Sequence, residues 1–335
     1  MKTVEIDFVV PWVDGSDPEW QKEFRNYSPD PSLCDASFER YRDWDLLKYW
    51  FRGVEANAPW VRKIFFITWG HVPEWLDVNH PKLVIVNHED YIPEEYLPTF
   101  SSHPIELNMH RIEGLSEHFV YFNDDCFLID KVNPEDFFVN GLPCDMALEH
   151  PTVNPDPFIG SIFLNNTCVI NRNFRKREVI SSNLTSWFNP KYGKLNLSTI
   201  MLTPWNKFVG LHCHHYPQSY IKESFNSVWK HEFDILNETS QQKFRSRNDV
   251  NQYVIKCWQI CNGNFYPTNL KKYNEFLGIG EIDNNELCNF IKSKEKKCVV
   301  LNDECDKNNV SDIDVLKHEL IDAMESITKK SSFEL

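Results

Sequence analysis

The chain has 335 residues, 41% apolar and 14% aromatic, enough to bury a sizeable core and too many for a disordered tail or a stapled miniprotein. Its 35 Lys and Arg against 49 Asp and Glu give a formal net charge of −14, which argues against nucleic acid, whose phosphates are bound by an excess of cations. No apolar run approaches the roughly 20 residues that cross a bilayer, and Asp7 interrupts the first run where a signal peptide would need an apolar centre. A cytoplasmic location is therefore expected, one that allows peripheral contact with the inner face of the plasma membrane.

Taken in chain order, residues 4–10 (VEIDFVV) read as a strand followed by the turn-like Asp14-Gly15-Ser16-Asp17-Pro18. Residues 43–56 place Leu46, Leu47, Trp50, Phe51 and Val54 on one side of an amphipathic helix. Three short runs, 63–68 (KIFFIT), 83–87 (LVIVN) and 119–122 (FVYF), are rich in β-branched and aromatic residues and read as buried strands. Strands alternating with helices predict an α/β fold, a Rossmann-like, doubly wound and mostly parallel sheet. From 151 to 211 the pattern loosens into prolines, asparagines and a weak helix at 175–187, as an inserted helical cap would. Helical signals return over 219–261, notably at 250–260; residues 298–301 form a last strand, and Ser311 is the expected N-cap of a helix carrying Ile313, Leu316, Leu320, Met324 and Ile327. The organisation expected is a core at 1–142, a variable insertion at 143–211, a helical unit at 212–290 and a returning strand and helix at 291–335.

The ten cysteines fit reduced thiols better than a disulfide framework, with Cys126, Cys168 and Cys257 inside apolar stretches and no CxxC pair present. Six Asn-x-Ser/Thr sequons are close to chance in a chain so rich in Asn.

Acids gather where strands end: Asp14 and Asp17 after the first, Asn123-Asp124-Asp125 after FVYF, Asn302 and Asp303 after the last. Ligands of open α/β sheets sit outside the carboxyl ends of the strands, so these tips are expected to share a crevice suited to a hard divalent cation. Each acid alone also reads as a turn or helix cap. Asn123-Asp124-Asp125 is the most telling, because two adjacent acids interrupt a strongly apolar stretch. In 211–217 (LHCHHYP), His212 and His214 would share one face of a strand, open to a zinc reading or to ordinary strand histidines, while a lone histidine near the crevice suits a general base. Of the cations (Arg40, Arg42, Arg52, Arg62, Lys222, Arg245 and Arg247) some are needed to hold a diphosphate. The chain has no P-loop, GxGxxG or GxSxG.

Four ordered blocks carry a resemblance. They are IDFVVPWVDGSDPEW (6–20); the stretch 40–138, with APWVRKIF, LPTFSSHPIE and HRIEGLSEHFVYFNDDCFL; His215-Tyr216-Pro217 through KFRSRNDVN to YVIKCWQICNG; and CVVLNDECD (298–306) with the helix after it. In these the chain resembles the Stealth family of bacterial capsular and cell-wall polysaccharide phosphotransferases, related to the catalytic subunit of the animal lysosomal-enzyme N-acetylglucosamine phosphotransferase. Residues 143–210 show little to align. The resemblance implies transfer of a hexose- or N-acetylhexosamine-1-phosphate from a UDP-sugar to a sugar hydroxyl of a capsular, exopolysaccharide or cell-wall glycan, a lipid-linked oligosaccharide being the expected acceptor, with UMP released. It implies His215 as base, Arg245 as phosphate clamp and Asp124 and Asp125 as ligands of Mg²⁺ or Mn²⁺, with Asn302 and Asp303 completing the metal wall. Asp14, Gly15, Asp17, Arg40, Asp43 and Asn123 would line the donor site. Lys222 stands where an Arg is frequent in the family, and His212 and His214 have no assigned role. The competing readings are a metal-dependent glycosyltransferase releasing UDP, a zinc protein built on His212 and His214, and a non-catalytic sugar-binding module.

Overall fold

A computed structural model describes residues 4–27, 42–305 and 312–335. Its elements run β1 (Ile6–Pro11), α1 (Pro18–Tyr27), α2 (Leu47–Asn57), β2 (Ile64–Thr68), β3 (Leu83–Asn87), α3 (Ser102–Leu107), β4 (His118–Tyr121), β5 (Cys126–Leu128), α4 (Pro134–Phe137), β6 (Phe138–Val139) and β7 (Leu142–Asp145). There follow α5 (Pro157–Asn173), α6 (Lys176–Ser182), α7 (Leu184–Trp187), α8 (Asn196–Leu202), β8 (Gln218–Ile221), α9 (Lys222–His231), α10 (Phe233–Gln241), α11 (Tyr253–Cys261), β9 (Tyr266–Pro267), β10 (Asn274–Ile279), α12 (Asn284–Ser293), β11 (Cys298–Asp303) and α13 (Ile313–Ile327).

The fold is mixed α/β. Its main sheet has the order β3-β2-β1-β4-β8, parallel except for β8, which runs antiparallel to β4. Side chains alternate between the two faces. Phe8, Ile64, Phe66, Val120 and Phe122 join one core with α2, β5, β11 and α13; Val9, Phe65, Ile67, Phe119 and Tyr121 join another with α9 and α11. Burial on both faces explains why these strands read as continuous apolar runs. The acid in the first run is fully buried at the amino edge of the sheet, where the Arg62 guanidinium grips both carboxylate oxygens of Asp7 and Ser116 N–H adds a 2.7 Å bond.

The strand at the end of the chain does not extend this sheet. β11 pairs in parallel with β10 and antiparallel with β5, and a third small sheet joins β6, β7 and β9. Only the pairing partner could reveal this, and β5 is three residues long. Asn302 and Asp303 lie within β11 and not after it.

The amphipathic helix starts at Leu47, four residues later than its pattern suggests, because Asp45 takes a left-handed φ of 55°. The loose region instead holds α5, the longest described helix, capped by the Asp156 side chain and opened by Pro157. The expected cap at Ser311 lies outside the described residues, and Asp312 caps α13 by accepting from Val315 N–H. None of the nine described cysteines is in a disulfide, and Cys168 is exposed on α5, not buried as its apolar neighbours suggest. No helix among the described residues is long and apolar enough to cross a membrane.

Candidate active site

Three chain segments meet at the carboxyl edge of the main sheet. After β1, Asp14 N–H donates to His71 Nε2 at 2.8 Å, which ties the first turn to the loop after β2. After β4, residues 123–126 form a turn closed by Cys126 N–H on the Asn123 carbonyl, and the chain then enters β5. Leu301 N–H donates to the Asp125 carbonyl at 2.9 Å, so β11 braces this turn. The third segment is the approach to β8: Gln218 pairs with Tyr121, which sets the preceding His215 over the acidic turn.

His215 is the hub. Its Nε2 lies 2.9 Å from Asp125 Oδ2 and 3.1 Å from Oδ1, and the Asn123 amide nitrogen lies 3.0–3.1 Å from both ring nitrogens. The imidazole remains 34% exposed, accessible to a substrate from one side. Burial disfavours its charged form, but the carboxylates of Asp125, Glu106 and Asp124 outweigh that and raise its pKa above the usual histidine value. Asp124 has exposed surface yet stands in a recess crowded by protein. Desolvation there, followed by the like charges of Asp125 and Asp43, lifts its carboxyl to about 7. Asp43 is also raised, by burial first and then by Asp45 and Asp14. Four carboxylates from three segments, Asp14, Asp43, Asp124 and Asp125, thus bear on one another beside His215.

The remaining residues expected at the site take varied places. Asp14 Oδ1 accepts from Ser16 N–H and hydroxyl, and Asp17 Oδ1 accepts from Trp20 N–H to cap α1; both do the ordinary work of a turn. The Gly15 carbonyl accepts from Gln21. Arg40 lies outside the described residues. Asn302 donates to Glu304. Asp303 Oδ2 accepts from Arg42 at 2.8 Å and Trp44 Nε1 at 3.1 Å, the two residues flanking Asp43, so Asp303 steadies the segment that carries Asp43. Arg245 follows Phe244, which packs with Trp20, Phe24 and Phe100 against Val13, and its guanidinium donates to Ser102 Oγ at 2.9 Å. That aromatic cluster brings Arg245 to the neighbourhood of the first turn.

Two expectations need correction. Lys222 lies at the opposite, amino edge of the sheet, next to the Ile221–His118 pair, and donates to the Ile112 carbonyl. The zinc reading fails as well. His214 is buried with Lys256 Nζ 2.8 Å from its Nε2 and Asp145 3.5 Å away; burial and Lys256 together hold its pKa down at about 4. The His212 ring centroid is 5.9 Å from that of His214, and no third zinc ligand joins them among the described residues.

Residue-by-residue reasoning missed Glu106. It sits on α3 within LPTFSSHPIE, 6% exposed, accepts from Tyr121 Oη at 3.1 Å, and has a second buried oxygen without a hydrogen bond. Next to it, buried His103 and Asp249 pair at 2.8 Å. The signal available was two polar residues, His103 and Glu106, spaced for one face of a short helix that opens on two serines.

Among the described residues, one set of side chains is spaced for a metal. Asp125, Cys126 and His215 each offer a ligand atom within 4.8 Å of the others. Burial and the neighbouring Asp125 hold the Cys126 thiol protonated, and it donates to Asp125 Oδ1. A protonated thiol is a poor ligand for a soft metal, whereas the crowded carboxylates of Asp124 and Asp125 match a hard cation.

Residues 4–30 match the description "Stealth protein CR1, conserved region 1" and residues 40–144 match "Stealth protein CR2, conserved region 2". A capsular polysaccharide phosphotransferase, WcwK, from Streptococcus pneumoniae is 44% identical over 338 residues, covering 100% of this chain and 99% of that protein. The exopolysaccharide phosphotransferase cps2G of Lactiplantibacillus plantarum is 39% identical, covering 98% and 96% respectively. The receptor polysaccharide phosphotransferase WefC of Streptococcus oralis is 37% identical, covering 99% of each. Among solved structures, a galactosyltransferase, LgtC, aligns with a TM-score of 0.42 at 9% identity over 97% of this chain and 98% of that one, too remote to bear on chemistry.

Proposed function

The chain belongs to the Stealth family, and from that premise we propose that it moves a hexose- or N-acetylhexosamine-1-phosphate from a UDP-sugar to a sugar hydroxyl, forming a phosphodiester in a capsular, exopolysaccharide or cell-wall glycan. The observation that carries the reading is His215, partly exposed, raised in pKa and hydrogen-bonded to the acidic turn after β4.

In this reading the acceptor hydroxyl replaces the Asn123 contact on His215 and gives up its proton to the ring. Asp125 orients the imidazole and stabilises the imidazolium that forms. The acceptor oxygen bonds to the phosphorus bearing the sugar, the bond from that phosphorus to the bridging oxygen breaks, and UMP leaves with the electron pair. Arg245 clamps a phosphate oxygen, and the buried Glu106 holds the Tyr121 side of the pocket. Mg²⁺ or Mn²⁺ held by Asp124 and Asp125 would offset the charge of the diphosphate and its leaving group. Asp14, Gly15, Asp17 and Asp43 would shape the uridine and ribose end, with Asp303 acting behind them through Arg42 and Trp44 and Asn302 next to it in β11.

The first four strands of the main sheet follow the 3-2-1-4 start of the doubly wound order, one half and the strand across the switch point, which supports a Rossmann-like donor core at 1–142. Residues 143–211 would then be the acceptor-facing insertion, 212–290 the unit supplying His215 and Arg245, and 291–335 the brace. The test is product analysis: incubate the protein with Mg²⁺, UDP-sugars and polyprenyl-linked oligosaccharides and separate the nucleotides. UMP with a new phosphodiester supports the proposal. UDP release would assign the chain to glycosyl transfer instead.

A further inference from the structure

The segment Pro157–Gly210 reverses the charge of the rest of the chain. It carries seven Lys and Arg and one acid, Glu178, within a protein of net charge −14. Three of its cations are matched: Arg172 by Glu232, Arg175 by Glu178, and buried Lys176 by Glu149. Among the described residues no ion pair answers Arg177, Lys191, Lys194 or Lys207, and all four are exposed.

The same segment displays large apolar side chains to water. Leu197, Ile200 and Met201 on α8 are 60%, 54% and 69% exposed, and Trp205 in the turn after it is 55% exposed. Positions 197, 200 and 201 fall on one helix face. The opposite face is fastened inward: Thr199 is fully buried and its hydroxyl accepts from Glu149 N–H, while Ser198 donates to the Glu149 carbonyl. The apolar face is therefore held outward by the fold. Lys176 Nζ bonds the Leu202 carbonyl, which sets Arg177 near the end of α8, and Lys207 bonds the Asn171 carbonyl beside the turn that carries Trp205.

We propose that α8 and the turn through Lys207 form an interfacial anchor that seats in an anionic lipid surface. Its apolar face enters the headgroup boundary, Trp205 sits at the interface, and Arg177, Lys194 and Lys207 meet lipid phosphates. A second copy seated face to face would set two positive surfaces against each other, so an isologous dimer is disfavoured. The anchor is joined to the candidate site: Glu149, which clamps α8, bridges Leu211, and His212 N–H bonds the Leu148 carbonyl three residues before His215. Seating the anchor would hold the site close to the membrane surface, where a lipid-linked glycan presents itself. That last consequence rests on the proposed function, whereas the anchor rests on charge and exposure alone.

The test is co-sedimentation of the full chain with phosphatidylcholine vesicles with and without phosphatidylglycerol, with helicity and melting temperature as fold controls. Expected are binding to the anionic vesicles only, loss of at least about tenfold in Ile200→Asp/Met201→Asp, and a drop of roughly fivefold per residue reversed in Lys194→Glu and Lys207→Glu. Failure of the parent chain to bind anionic vesicles, or wild-type binding by the folded double variant, would overturn the anchor. A dimer in light scattering that Met201→Asp disperses would also overturn it, in favour of self-association. None of these readouts depends on transfer activity, so the anchor and the proposed function can fail separately.

Discussion

Glu334 near the end of the described chain is gripped by Arg52 of α2, with Nε to Oε1 at 2.7 Å and Nη2 to Oε2 at 2.8 Å, while Nη1 reaches Glu325 of α13 at 2.8 Å. Both partners in the Arg52–Glu334 fork are 8% exposed. Burial alone would raise the Glu334 carboxyl, but the Arg52 fork and the Ser331 donors bring it down from 4.5 to about 2. A depressed carboxyl pKa stabilises the fold above its unfolded value, and the benefit disappears as pH falls from about 4.5 through about 2. Held at about 2 against an ordinary 4.5, the carboxyl contributes about 3 kcal/mol at neutral pH. With an unfolding entropy of about 2.1 cal/mol/K per residue, a chain this long should lose about 4 °C of melting temperature in Glu334→Gln. The assay is urea unfolding of both proteins at pH 7, 5, 4 and 3. Glu325 titrates in both, so the difference isolates Glu334. The gap should stand near 3 kcal/mol at pH 7 and fall to about half or less by pH 3. A gap that is constant across this range would refute the ion-pair reasoning.

At the candidate site, Asp124→Asn should reduce transfer by at least about 10²-fold while leaving the melting curve cooperative, read by nucleotide release and calorimetry. Wild-type activity in Mg²⁺ would remove Asp124 from the reaction. Arg245→Ala should raise the apparent KM for the nucleotide sugar by roughly tenfold to a hundredfold, the worth of a hydrogen bond to a charged group, in initial-rate measurements. In α2, a Cβ on Gly53 would stand 2.5 Å from the Leu128 carbonyl oxygen of β5. Gly53→Ala should therefore destabilise by about 1–3 kcal/mol in urea titration, although the same change in an open helix stabilises by about 1 kcal/mol.

What could be read in advance follows from how local each signal is. β1 to β4 were legible because strands buried on both faces leave unbroken apolar runs, and the acids at their tips stand out against them. The destination of β11 was not legible, since joining β5 instead of the main sheet depends on a partner some 170 positions away. For α5 the cap and proline were present, but its many asparagines blur the apolar stripe. At the site, Asp124 and Asp125 stand out against the apolar stretch they interrupt, whereas His215 was marked by the family resemblance and not by composition. The role of Asp303 was not legible, because a carboxylate that ligates an ion and one that pins Arg42 and Trp44 look alike in sequence. Glu106 stayed hidden for the opposite reason: its importance comes from being buried with one oxygen unbonded, a property of packing and not of pattern.

The bond from Leu301 N–H to the Asp125 carbonyl has a consequence for biosynthesis. Nascent chains fold from the amino terminus as they emerge, and β1 to β4 can pair long before residue 301 is made. The turn that carries Asp124 and Asp125 waits, unbraced, until β11 arrives to line up with β5. A chain interrupted on the ribosome before that point would own every acid of the cluster and its histidine, yet hold them on an unsupported turn. Under the proposed function, catalytic competence would thus be acquired late in synthesis, and incomplete chains would be silent without any change in the site's own residues.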